Sequence, residues 1–481
     1  MTAIPARSVT FRTLAAIGAV TVIAALMSGC MVGPDYKRPI VDTPGAYRTG
    51  DAGDPAAAGA TAAAASIADQ QWSQVFEDET LQTLIRTALE HNFDLQMAAA
   101  RILEAQAQVG ITRADQFPTV SAGVNVLGER PSVALGFPST NLAAVEVQAS
   151  AAWELDFWGK YRRATESARA QLLASQWGQR AVVTTLISQV SSGYFGLRAL
   201  DLELDISKRT LESRLESLQL ANVRERGGVT SLLDVRQAEQ LVYGATSEIA
   251  SLERQIVQQE NFLSVLLGGF PGPVARGRSL TDQPHQPDVP AGLPSSLIER
   301  RPDIQRAEQE LVAANAQIGV ARAAFFPDIA LTGQGGFESL ALSALFSTTN
   351  IIWSAAATAT QPVFTAGRIK SRVAIAEARR DEATIAYQQI VRESFREVSD
   401  ALIGYQKIRE AGAQLALLAE SARDARRLAQ VRYEGGVTSY LEVLDADTRL
   451  FAAELGLAQS QLNELSALVE IYRALGGGWQ M

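Results

Sequence analysis

The segment Gly435-Gly436-Val437-Thr438-Ser439-Tyr440-Leu441-Glu442-Val443 constrains this chain more than any other, because it occurs twice. Gly227-Gly228-Val229-Thr230-Ser231-Leu232-Leu233-Asp234-Val235 is the earlier copy. Each copy ends a stretch without proline, 160–226 in the first case and 368–434 in the second. As a helix, each stretch would be roughly 100 Å long at about 1.5 Å per residue. Glycine supplies the positive φ at which a long helix stops, and Thr-Ser offers a cap for a returning one. Gly227, Gly228, Gly435 and Gly436 therefore mark the turns of two long helical hairpins.

The repetition extends beyond the turns. Asp94-Leu95-Gln96 aligns with Asp303-Ile304-Gln305, Ala107-Gln108-Val109-Gly110 with Ala316-Gln317-Ile318-Gly319, and Phe117-Pro118 with Phe326-Pro327. Each Phe-Pro closes a helical segment, and alternation begins after it. Val145, Val147, Ala149, Ala151, Trp153 and Leu155 fall on one strand face, with Glu146, Gln148, Ser150 and Glu154 on the other. Four such strands are expected, at about 119–127, 144–155, 328–337 and 350–361. Their length suffices to cross an outer membrane when tilted. Alternation alone equally allows two ordinary hairpins packed on helices.

Matched exits follow each strand pair, Asp156-Phe157-Trp158-Gly159-Lys160 and Val363-Phe364-Thr365-Ala366-Gly367-Arg368. The first long helix carries Val183, Ile187, Val190, Tyr194, Leu197, Leu204, Leu211, Leu215 and Leu218 in coiled-coil-like spacing. In the second, Ala416, Ala419, Ala422 and Ala425 permit close approach of a neighbour. The return helices, ending near Leu267-Gly268 and Leu475-Gly476, are too short to flank their partners alone. The shorter helix before each strand pair would complete the column if stacked end to end.

The first 29 residues read as an export signal, with Arg7 and Arg12 before an apolar run from Leu14 to Met27 too short for a bilayer span. Ser28-Gly29 before the lone Cys30 is similar to a bacterial lipobox, in which Cys30 becomes the lipidated first residue of the mature chain. Met27 departs from the usual Leu, Val or Ile, so an ordinary leader with an incidental cysteine stays open. Met31, where Asp would signal inner-membrane retention, favours the outer membrane. The expected divisions are 1–29 signal, 30–70 lipid-anchored extended segment and linker, 71–268 first repeat, 269–302 Pro-rich connection, 303–476 second repeat and 477–481 tail. Trp72 to Leu89 carries one amphipathic helix pattern.

Formal net charge is −9, which speaks against nucleic acid as a partner. Two histidines, one of them the loop residue His285, and a single cysteine leave no metal spacing, no nucleophile–base pair and no disulfide. No phosphate loop and no cofactor motif is found, so no enzyme is expected.

Four strands cannot close a barrel, since about eight is the practical minimum, and lipid leaves an open edge unsatisfied. Three copies supply twelve strands. The expected fold is a mixed α/β membrane protein, a trimeric 12-stranded β-barrel continuous with a long periplasmic α-helical barrel, with an internal two-fold repeat. That assembly is a conduit; a helical scaffold or adhesion lipoprotein without a pore is the alternative.

Cys30 with Gly33-Pro34-Asp35-Tyr36, Arg300-Arg301-Pro302-Asp303-Ile304, Phe326-Pro327, Gln361-Pro362-Val363-Phe364 and Leu475-Gly476-Gly477-Gly478-Trp479 resemble the TolC-like outer-membrane efflux lipoproteins of the OprM/NodT type. The resemblance covers the mature chain. It implies a homotrimeric exit duct without cofactor, held in outer-membrane lipid, that docks a periplasmic adaptor and an inner-membrane pump, usually of the RND class. It also implies a periplasmic gate at the second glycine turn. Leu441 and Asp445 match residues that narrow the pore, and Glu442 an acidic position near it. Tyr433 and Asp234 match positions that tie the hairpins shut. Thr438 stands where some members carry Arg, which leaves Arg432 or Arg449 as substitutes.

Overall fold

A computed structural model of the chain describes residues 31–48, 66–129, 142–284, 289–292 and 294–479. The leader, Cys30, most of the linker, residues 130–141 and His285 lie outside the described residues. The order is α1 (Trp72–Val75), α2 (Glu79–His91), α3 (Phe93–Ala114), β1 (Thr119–Glu129), β2 (Leu142–Glu154), α4 (Lys160–Arg226), α5 (Leu232–Leu266), α6 (Ser296–Arg300), α7 (Pro302–Ala323), β3 (Asp328–Ser339), β4 (Ile351–Thr360), α8 (Arg368–Glu434) and α9 (Tyr440–Ala474). Helices α3 and α7 have 22 residues each, α4 and α8 have 67, and α5 and α9 have 35. The return helices stop slightly earlier than expected, and Gly268 and Gly476 then take positive φ, 77° and 80°. The single helix expected from Trp72 to Leu89 breaks in two. Asp78 is the reason: its carboxylate accepts the amides of Thr80 at 2.9 Å and Leu81 at 3.3 Å, an N-cap that starts α2 afresh.

The chain divides into two compact units. The first comprises the described residues of Met1–Ile40, Arg101–Ser175 and Arg306–Tyr387. It holds one antiparallel sheet in the order β1-β2-β3-β4. The register keeps like beside like. Ser121, Ser150, Gln334 and Ser354 are successive partners across the sheet, as are Val124, Val147, Phe337 and Ile351. Because side chains alternate, one face carries most of the polar side chains, with Leu127 and Ile352 as exceptions, and the other is largely apolar. Phe346 packs on Phe337 at 5.4 Å, but most of the apolar face is bare among the described residues: Val120, Val124 and Trp353 are 75%, 65% and 79% exposed. Strands β1 and β4 each keep one bare edge among the described residues.

An extended strap, residues 32–38, is pinned in the same unit. The Val32 amide donates to the Trp158 carbonyl at 3.0 Å and the Asn315 side chain to the Pro34 carbonyl at 2.9 Å. Arg163 binds Asp35 at 2.7 Å, while Tyr36 and Arg38 both donate to Glu308. Gly33 sits at φ 108°, and a Cβ there would come within 2.5 Å of the Gly319 Cα. Only a glycine facing a glycine allows this crossing.

The second unit comprises the described residues of Val41–Ala100, Gln176–Gln305 and Gln388–Met481. Its main core gathers Leu81 and Ile85 of α2, Ile187, Val190 and Tyr194 of α4, Leu263 of α5 and Leu468, Val469 and Tyr472 of α9. Buried Arg301 ties this core together, bonding Asp303 at 2.6 Å, Glu397 at 2.8 Å and the Ala474 carbonyl at 3.0 Å.

Candidate functional site at the helix turns

Both glycine turns lie in the second unit and share one geometry. Gly228 and Gly436 each have φ 74°. The amide of Val229 donates to the Arg224 carbonyl and that of Gly228 to Glu225, both at 2.9 Å. Val437 to Arg432 and Gly436 to Tyr433 repeat the pattern at 3.0 Å. These paired bonds satisfy the last carbonyls of a helix by the left-handed glycine termination. The expected Thr-Ser cap is not made: Ser231 and Ser439 occupy the N-cap positions with extended backbone, but neither hydroxyl bonds a helix amide. An acid in the first turn of each return helix, Asp234 in α5 and Glu442 in α9, favours the positive helix end instead.

A small apolar core joins the hairpins here. It contains Ala221, Val235, Ala238, Ala429, Tyr433, Tyr440, Val443 and Ala446. The Tyr433 and Tyr440 rings meet at 5.4 Å. Burial first, then nearby Asp447 and Tyr433, pushes the Tyr440 phenol up to about 12. Arg224 lies 4.3 Å over the Tyr433 ring and donates to the carbonyls of Tyr433 at 2.9 Å and Glu434 at 3.0 Å. A guanidinium from the first hairpin thus occupies the negative end of the helix in the second.

Further from the turns, Arg214 binds Asp447 at 2.8 Å with both side chains buried. It also donates to the Leu241 carbonyl at 3.1 Å and lies 5.0 Å over Phe451. Arg426 reaches the other Asp447 oxygen at 3.9 Å and bonds the Ser213 hydroxyl. One carboxylate therefore links α4, α8 and α9, with α5 joined through its carbonyl.

The residues singled out from sequence fall into two groups. Leu441, Glu442 and Asp445 are exposed on α9. Glu442 lies 3.3 Å from Arg432, and Asp445 lies 2.8 Å from Arg449, one turn on. Each acid therefore has a counter-charge within its own hairpin. Tyr433 is buried, and its hydroxyl meets no partner among the described residues. Asp234 is half-buried and is not brought to Tyr433 by any bond among the described residues. Between the hairpins, the polar contacts include Arg224 on Tyr433 and the group Arg214–Asp447–Arg426; of these residues the sequence had marked only Tyr433. A signal existed for Asp447: it stands four residues after Val443, on the buried face of α9, where a charge needs a partner.

The family model described as outer membrane efflux protein matches residues 84–269 and again 293–477. The chain is 37% identical over 464 residues to a probable efflux pump outer membrane protein, TtgC, of Pseudomonas putida, covering 95% of this chain and 94% of the relative. It is also 37% identical over 461 residues to the outer membrane protein OprJ of Pseudomonas aeruginosa, covering 95% of each. The open-state crystal structure of the MtrE outer membrane channel of Neisseria gonorrhoeae superposes with a TM-score of 0.83 at 30% identity, over 94% of this chain and 99% of that one. On both halves of its sequence and across its fold, the chain belongs to the outer membrane efflux protein family, the outer-membrane exit ducts of efflux systems.

Proposed function

We propose that three copies of this chain close a 12-stranded barrel, four strands each, that continues into a periplasmic barrel of α-helices and serves as a passive exit duct. The observation that carries this is the four-stranded sheet with one apolar face, one polar face and two bare edges. In lipid an unpaired edge costs several kcal/mol per group, so the sheet needs further copies of itself. The equal lengths of the paired helices support an internal repeat, 71–268 and 303–476, with 269–302 as the connection and 477–481 as the tail. Two similar hairpins per chain, three times over, give a ring of nearly equivalent columns.

On this reading Cys30 carries the lipid, and the strap at 32–38 holds the chain that follows it. Leu441, Glu442 and Asp445 narrow the periplasmic end, with Leu441 an apolar plug that resists wetting. Arg432 and Arg449 temper the repulsion among the acids and take the latch role left open by Thr438. Tyr433 and Asp234 belong to the network that ties the two hairpins shut, Tyr433 from within the small core that joins them. The names of the relatives, efflux pump outer membrane proteins, support partnership with a periplasmic adaptor and an inner-membrane pump, of the RND class by resemblance.

Native mass measurement in mild detergent, followed by planar-bilayer recording, tests the reading. Three chains and stepwise ion conductance are expected. A stable monomer with full helical content, or a trimer that never conducts, would overturn it.

A further inference from the structure

A groove of about 980 Å³ in the first unit lies between the start of α4, α7 and the start of α8. Arg368, Arg372 and Arg379 line it from α8. Spacings of four and seven residues put all three on one helix face, over about 16 Å. All three are exposed, and none pairs with a carboxylate among the described residues. The acids that share the groove are already engaged. Glu310 binds Arg306 at 2.8 Å, and Asp328 lies 3.8 Å from Lys160. The groove therefore carries three unneutralised guanidiniums, which stay charged at any physiological pH.

The side on which it opens follows from the register. Asp328 opposes Thr360 and Glu154 opposes Ala330, all on the polar face of the sheet. Lys160 binds Glu154 at 2.8 Å and approaches Asp328, so it lies on that same side. With the polar face inward, as a barrel in lipid requires, the groove opens into the lumen where the strands end.

The geometry points to an anion-collecting collar: Arg368, Arg372 and Arg379 of each copy form a luminal subsite for carboxylate, phosphate or sulfate groups on passing cargo. This rests on the duct reading. Guanidinium forks match oxyanions in pairs of parallel bonds, which a solvated lysine does not. Fixed charge along a confined path raises the local concentration of the opposite ion. Exposure keeps each bond weak, so a captured group can leave again, as conduction demands.

The test uses the full-length protein in a planar bilayer, with inorganic pyrophosphate added from the barrel side at low salt. Pyrophosphate should block the parent channel, and Arg368→Gln/Arg372→Gln/Arg379→Gln should raise the half-blocking concentration about tenfold or more. If the triple variant does not assemble, Arg372→Gln should weaken block severalfold while Arg372→Lys keeps more of it. A conducting parent whose block is unchanged in the variants overturns the collar and leaves the duct standing. A protein that never conducts overturns both. Variants that lose the oligomer while surviving pores keep parental block would assign the arginines to a neighbour's carboxylates, and would equally overturn the collar.

Discussion

Asp78 accepts bonds from five donors: the amides of Thr80, Leu81 and Arg278, the Tyr194 hydroxyl and the Gln283 side chain. Burial alone would raise its carboxyl, but those bonds outweigh it and hold the group below the usual carboxylate range. A lowered native value stabilises the fold fully above the unfolded pKa and is lost as pH falls through the native one. Asp78→Asn should therefore cost about 2–3 kcal/mol at pH 7 and the same at pH 5. The gap should close only below about pH 3.9, which denaturant unfolding across pH will check. Asp447 is the other critical carboxylate. Asp447→Asn leaves Arg214 buried without its counter-charge, an expected loss of about 3–5 kcal/mol. The double variant Arg214→Met/Asp447→Leu should recover most of it. Equal instability of the single and double variants would assign the cost to lost packing.

At the scale of elements, the glycine pairs can be tested against each other. Gly436 has positive φ and open space where a Cβ would stand, so Gly436→Ala should cost about 1–2 kcal/mol of pure backbone strain. Gly435→Ala meets only ordinary contacts and should be nearly neutral. Hydrogen exchange at the Val437 and Gly436 amides reads the difference. The turns were legible in the sequence because their chemistry is local: two glycines decide where the helix ends. The strands were legible because alternation over Val145–Leu155 has a single reading as backbone. The joints were not. Arg224 bonds the carbonyls of Tyr433 and Glu434, and a carbonyl leaves no trace in the residue type that bears it. Gly33 likewise owes its identity to Gly319, far along the chain, and no local pattern announces a close crossing. The break at Asp78 was missed because its apolar spacing imitates one continuous helix. Arg432 and Arg449 had been named, but not as the partners of Glu442 and Asp445: the first pairing depends on how the two arms of the turn face each other, whereas the second is an i,i+4 pair on one helix that the spacing alone could have given.

For the whole molecule, the gate proposed at the second turn would make selectivity a question of which charge is left alone. Asp445→Asn frees Arg449 and should shift the channel away from cations, most visibly at low salt where screening is weakest. Tyr433→Phe removes a buried hydroxyl without a partner among the described residues. Stability of the isolated hairpins should stay within about 0.5 kcal/mol of the parent. A rise in single-channel conductance would then report a part for that hydroxyl in holding the hairpins shut; unchanged conductance would place the tie elsewhere. The bare edges of β1 and β4 carry a consequence for the cell rather than the molecule. In the three-copy barrel proposed above each copy is completed by two others, so function would be inherited by the ring and not by the chain. A cell carrying equal doses of a sound gene and one whose β1 edge no longer seals would build, by random draw of three, only about one sound ring in eight. Such an allele would behave as dominant although its product is merely defective.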